Sequence, residues 1–170
     1  QVIKHTLENG LTVYLSPNHE EPRFYAEIIT RAGSKHDPET NTGLAHYLEH
    51  LLFKGTSSFG TVDFEKEKVH LDEITELYEK RSGEDNETTR SEIYERINEV
   101  STRAAAFAIP NEMDRTYSDM GGKAINAHTW HEETVYKVDL PANRLRHWAK
   151  IESERFANPV FRLFHTELET

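Results

Sequence analysis

Cysteine is absent from the 170 residues. That absence excludes disulfide bridges, a thiol nucleophile, iron–sulfur clusters and thiolate-held zinc together, so any bound metal falls to His and carboxylate. Apolar runs are short as well: none approaches the roughly 18 residues that a membrane-spanning helix needs. Positive charge is scarce, with 20 Lys and Arg against 30 Asp and Glu, a formal net charge of −10. A field of that sign repels phosphate backbones, which argues against nucleic acid as a partner. What is present, 36% hydrophobic and 29% charged residues, supports one folded core, and the length suits one compact domain rather than two ordinary ones.

The chain reads as strands, helices and strands again. Asn9-Gly10 marks a turn, and residues 11–15 after it alternate with period two. Residues 23–31 are rich in aromatic and β-branched side chains and predict a second strand, closed by Ala32-Gly33-Ser34. Residues 43–53 predict a helix. Asp63 is a candidate N-cap, followed by Phe64, Leu71, Ile74 and Tyr78 at helical spacing. Ile93, Ile97, Val100, Ala104 and Phe107 form a second stripe that stops before Pro110. The pair predicts a helical hairpin inserted at about 63–110, its charged outer faces expected to be a solvated surface. Residues 125–129 and 134–140 predict strands, and Leu145, Trp148, Ala149, Glu152 and Phe156 line one side of a further helix. The expected class is α+β: a mixed β-sheet with helices packed on one face.

The segment that carries chemistry is Leu44-Ala45-His46-Tyr47-Leu48-Glu49-His50-Leu51-Leu52. At 100° per residue, Leu44, Leu48, Leu51 and Leu52 gather on one side of a helix, with His46, Glu49 and His50 on roughly the opposite side. Two imidazoles one turn apart can chelate one ion, and a carboxylate between them can reach a water beside it. Zinc suits nitrogen ligands and lowers the pKa of such a water to about 7. Glu49 is then the candidate general base, taking the water's proton and passing it to the leaving amine. The competing reading is a helix whose exposed side happens to carry two His and a Glu.

His46-Tyr47-Leu48-Glu49-His50 matches the inverted zinc motif His-x-x-Glu-His. Its surroundings resemble the pitrilysin-type metallopeptidase family, which includes insulin-degrading enzyme and the mitochondrial processing peptidase β subunit. The resemblance runs through Leu7-Glu8-Asn9-Gly10-Leu11-Thr12-Val13, Arg31-Ala32-Gly33-Ser34 and Phe53-Lys54-Gly55-Thr56. It continues through Gly121-Gly122 to Asn126-Ala127-His128-Thr129, then Thr134-Val135-Tyr136 and Asn158-Pro159-Val160-Phe161. It implies a zinc (Zn2+) endopeptidase with His46 and His50 as ligands and Glu49 as general base. It also implies an edge strand around Asn126 and Ala127 that pairs with an extended peptide substrate, and a second homologous half closing the site. Substrates of the family are short or unfolded peptides.

Two departures from the family pattern stand out. The insert at 63–110 is longer than the usual connection, and is expected to be surface decoration more than a substrate entrance. The family's third ligand is a Glu seven residues beyond another Glu; the upstream member best matches Glu167, with Glu169 as the other choice. The ligand itself is then expected beyond Thr170, in a chain that continues and is incomplete here. Glu152, on an apolar helix face, is a candidate substitute ligand, but its simpler role is an ion pair with Arg155 or residues near Arg146. His128 and His131 flank the substrate-like strand, and Trp130 either lines a pocket or packs. A start at Gln1 fits removal of a leader, so a periplasmic or envelope location is expected, with the cytoplasm as alternative. The rival function is a non-catalytic subunit for peptide binding or assembly.

Overall fold

The computed structural model describes residues 1–168. Strands β1 (Ile3–Thr6) and β2 (Thr12–Leu15) form a separate antiparallel hairpin. Its turn uses Gly10 at φ 88°, a left-handed conformation open to glycine. A second sheet holds β3 (Arg23–Thr30), β4 (Lys123–Thr129) and β5 (Thr134–Pro141) in the order β3-β5-β4. The α+β arrangement stands, but in place of one mixed sheet there are two small sheets whose pairings, among the described residues, are all antiparallel. The short link between β4 and β5 explains their pairing: residues 130–133 can close a hairpin but cannot make the crossover that parallel strands need.

Helices are α1 (Leu44–Leu51), α2 (Phe64–Ser82), α3 (Glu87–Ala105), α4 (Glu112–Asp119), α5 (Leu145–Ala157) and α6 (Phe164–Leu168). Helix α4 was not apparent from the sequence, where only Met113 and Tyr117, one turn apart, are bulky and apolar. Both are buried against the sheet, with Phe24, Ala26, Val138 and Leu140 from the strands and Trp148 and Ile151 from α5. Registry aligns these groups, since Phe24 lies opposite Leu140 and Ala26 opposite Val138. The helices thus cover one face, while Tyr25 and Ile29 on the other face are exposed. No helix of the described residues is long and apolar enough to cross a membrane.

Helices α2 and α3 form the expected hairpin around a second core of Ile74, Ile93, Ile97, Val100 and Ala104. Asp63 caps α2 by accepting from the Lys66 amide at 3.2 Å, and Asn86 caps α3 through the Thr89 amide at 3.1 Å. The hairpin joins the rest of the molecule through Arg162, which is 2% exposed. Its Nε and Nη2 donate to Glu67 of α2 at 2.9 and 3.2 Å. Nη1 donates to the carbonyls of Lys54 and Phe59 at 2.5 and 3.0 Å, and Nη2 to that of Thr56 at 2.7 Å. All five guanidinium donors are thereby satisfied. The loop they hold turns at Gly55, φ 103°, where a Cβ would lie 2.2 Å from the Phe59 carbonyl oxygen.

Removing one member of a buried pair strands the other charge, at a cost of about 3–5 kcal/mol. Glu67→Ala is therefore expected to lose roughly that much stability in equilibrium urea unfolding; a loss below about 1 kcal/mol, the scale of an exposed ion pair, would show the pair to be dispensable.

Candidate active site

Helix α1 begins without a capping side chain of its own, because its N-cap is Gly43 at φ 89°. Asp37 supplies what is missing: its carboxylate accepts from the amides of Gly43 at 2.7 Å and Ala45 at 2.8 Å. A negative group there satisfies two orphan donors and meets the positive end of the helix dipole. The sequence reading missed Asp37, since six residues separate it from the N-cap and local capping rules do not reach that far.

The faces of α1 are arranged differently from the amphipathic expectation. Leu51 is buried, yet Leu44 and Leu48 are 41% and 38% exposed, whereas Glu49 is only 7% exposed. The carboxylate is drawn inward by a partner on β4: the Thr129 hydroxyl donates to Glu49 Oε2 at 2.5 Å. Thr129 lies opposite Thr134, whose own hydroxyl donates to the Ala32 carbonyl at 2.9 Å. A threonine pair at the end of the sheet thus receives a carboxylate that helix periodicity placed with the polar residues.

His46 and His50 remain exposed, and their Nε2 atoms converge to 3.2 Å with the rings at 88°. Two nitrogens bound tetrahedrally to zinc at 2.0–2.1 Å lie about 3.3 Å apart, so the pair fits one ion. Glu167 approaches the other side of the His50 ring, its Oε2 3.3 Å from Nδ1, while its Oε1 accepts from Lys54 Nζ at 2.5 Å. With Nδ1–H facing a carboxylate, the Nε2 lone pair is free to point at a metal. Burial pushes the Glu167 carboxyl upward, but the hydrogen bond and charge of Lys54, with His50 adding to them, hold it below its ordinary value of 4.5. Tyr47 donates to the Phe164 carbonyl at 2.5 Å, and burial, with Tyr78 and Glu167 nearby, pushes its hydroxyl up to about 12.

Among the described residues no group of three or more His and carboxylates converges on one point. The third ligand expected beyond Thr170, and Glu169, the other choice beside Glu167 for the upstream Glu, both lie outside the described residues. Glu152 is no substitute: it is buried, accepts from Arg155 Nε at 3.0 Å and from Nη2, and takes the Tyr117 hydroxyl. Arg155 in turn lies over the rings of Tyr136, Phe156 and Phe53 at 4.7, 4.9 and 5.3 Å, which is the ion-pair role expected for Glu152. Asn126 is exposed and Ala127 half-buried, both on β4, the outer strand of its sheet. Ala127 lies two residues from Thr129 and so on the same face, which brings this strand beside Glu49. His128 and Trp130 are exposed, and His131 Nδ1 lies 3.3 Å from Ser34 Oγ.

Residues 12–92 match the family model Insulinase (Peptidase family M16). Protease 3 of Escherichia coli (strain K12) is 28% identical over 130 residues, 71% of this chain and 12% of that protein. Mitochondrial-processing peptidase subunit beta of Rattus norvegicus is 37% identical over 75 residues, 44% of this chain and 15% of that protein. The chain therefore spans a minor part of the length of these relatives. In fold it is similar to a protease from Helicobacter pylori, with TM-score 0.66 and 19% identity over 99% of this chain and 29% of that one. The first half of the periplasmic protease PqqL from Escherichia coli gives TM-score 0.59 and 22% identity, over 94% of this chain and 25% of that one.

Asp37→Ala is expected to cost about 1 kcal/mol, the worth of a helix cap, with the loss of amide-exchange protection concentrated at Gly43 and Ala45. For Glu167 the sign follows from its lowered pKa: its contribution is complete above pH 4.5 and lost as pH falls through the lowered value. The stability gap between wild type and Glu167→Gln should accordingly be level at neutral pH and close in acid.

Proposed function

We propose that this chain, which belongs to the pitrilysin-type peptidase family, is the metal-bearing portion of a zinc endopeptidase that hydrolyses short or unfolded peptides. The observation that carries this reading is the convergence of His46 and His50 Nε2 at 3.2 Å, one turn of helix from a buried carboxylate, Glu49, held at an outer strand. On this reading residues 1–170 carry the zinc-bearing part of the domain, with the helical insert at about 63–110.

His46 and His50 would hold the ion, which when bound supplies Lewis acidity to a substrate carbonyl and to water. Glu49 takes a proton from the attacking water and delivers it to the leaving amine. The Thr129 hydroxyl occupies Oε2 of Glu49, which fixes the carboxylate and leaves Oε1 for that proton. Glu167 keeps the proton of His50 on Nδ1. An extended peptide adds to the free edge of β4 at Asn126 and Ala127, so that backbone bonds rather than a side-chain code select it. Only a segment without secondary structure of its own has those backbone groups free, hence the preference for short or unfolded chains.

A second, homologous half is the expected partner, supported by the likeness to the first half of PqqL. That neighbour is a periplasmic protease, which supports a periplasmic or envelope location here. Nucleic acid is disfavoured by the net charge of −10. The rival reading, a non-catalytic subunit, is disfavoured because His46, Glu49 and His50 are all retained.

Zinc titration against a chromophoric chelator tests the site. The chain should bind zinc weakly, His50→Ala should abolish binding, and Glu49→Gln should keep the metal. Hydrolysis of a quenched fluorogenic peptide, low in this chain alone, should fall about 100-fold or more in Glu49→Gln. Zinc binding indifferent to His50, or wild-type turnover in Glu49→Gln, would remove the proposal.

A further inference from the structure

We infer that the helical hairpin of α2 and α3 takes part in the metal site, acting through His165, a positioning residue that sets α6 and with it the ring of His50. The inference rests on the reading of His50 as a zinc ligand.

Helix α6 has five residues, too few to hold a helical conformation on its own, so its place is decided by what it touches. On one side it touches the hairpin. His165 is 5% exposed, with Nδ1 2.5 Å from the Tyr78 hydroxyl of α2 and Nε2 2.6 Å from Asn98 Oδ1 of α3. The amide oxygen only accepts, so Nε2 carries the proton and Nδ1 takes the hydroxyl's. The imidazole is thereby held from two helices at once, with Tyr94 edge-on to its ring at 5.4 Å. Phe164 packs into the hairpin core, its ring 5.7 Å from that of Tyr78.

On its other side α6 touches α1 and the lysine that follows it. The Phe164 carbonyl accepts from Tyr47, and Glu167 bridges His50 and Lys54. His165 and Glu167 are two residues apart within the same turn of α6, so the pin in the hairpin and the contact with His50 move together. That contact, 3.3 Å, is already at the long end for a hydrogen bond, and a retreat of α6 by about half an ångström ends it.

The backbone entering α6 points to the same control. Leu163 has φ 58°, a left-handed conformation that a bulky residue keeps only where its surroundings over-determine it. Its neighbours on both sides are gripped by the hairpin: Arg162 by Glu67, and Phe164 and His165 by Tyr78 and Asn98. The outer faces of the hairpin are charged and solvated as the sequence suggests, but its inner residues hold a strained turn in the one position that lets Glu167 reach the histidine.

The test uses the 170-residue chain with its histidines labelled with nitrogen-15, in Tyr78→Phe, His165→Gln and Ile93→Val variants. Tyr78→Phe keeps the ring packing and removes only the hydroxyl; His165→Gln keeps a donor and an acceptor. Ile93→Val loosens the hairpin core while leaving the Tyr78 and Asn98 contacts of His165 in place, and reports a merely structural effect. Thermal unfolding establishes that each is folded. The expected result is a shift of the metal-free His50 ring from the Nδ1–H tautomer toward a mixture in Tyr78→Phe, with zinc affinity lower by about 10-fold. His165→Gln should lie between Tyr78→Phe and wild type, and Ile93→Val should leave both quantities unchanged. A folded Tyr78→Phe with wild-type tautomer and zinc affinity overturns the inference, as does an equal loss in Ile93→Val. Failure of the underlying reading is separately visible, because His50→Ala would then bind zinc as wild type does.

Discussion

A guanidinium with all of its donors spent inside the protein, that of Arg162, is the constraint on which the other parts depend. It faces Glu67 of α2 and three carbonyls of the loop that follows α1, and it stands two residues before α6. A buried ion pair contributes little net stability compared with an apolar substitute, but it is demanding about direction, and direction is what three meeting segments require. The apolar contacts of the hairpin core could be satisfied by many small displacements; five hydrogen bonds to fixed acceptors cannot.

Around that joint the molecule has two cores of different kinds. One lies between the helical face of the three-stranded sheet and helices α4 and α5; the other lies inside the α2–α3 hairpin. Charged groups occur at the seams. Glu152 and Arg155 pair among aromatic rings at the first, and Arg162 with Glu67 and the His165 contacts lie at the second. Glu67, Glu152, Arg155 and Arg162 each have their partners, consistent with the rule that charges enter a protein when satisfied, whereas Arg81 Nε, His70 Nδ1 and Ser101 Oγ are buried without a hydrogen bond.

The same rule explains the site. Glu49 is buried because the Thr129 hydroxyl meets it, and the histidines beside it stay in water, where a metal has access. Leu44 and Leu48, left exposed, show that helix α1 is not seated by its leucine stripe alone. Its position comes from Asp37 at its start, the Lys54–Glu167 link just past its end, and a strand edge alongside.

Much of this was legible in the residues themselves. The one-turn spacing of His46 and His50, the strand signals of residues 23–31 and 134–140, and the two apolar stripes of the hairpin are short-range patterns. Backbone geometry converts such spacing into a face or a turn without outside help, so they appear in the structure as read. What the tertiary structure decided was which groups meet across distance. Thr129 reaching Glu49 spans 80 residues of chain, Glu167 reaching His50 spans 117, and Tyr78 reaching His165 spans 87. Antiparallel pairing in place of a mixed sheet, the α4 helix, the Asp37 cap and the inward turn of Glu49 belong to the same group. Periodicity tells which side chains share a face; only packing tells what that face is turned toward, and a carboxylate goes where a donor waits for it.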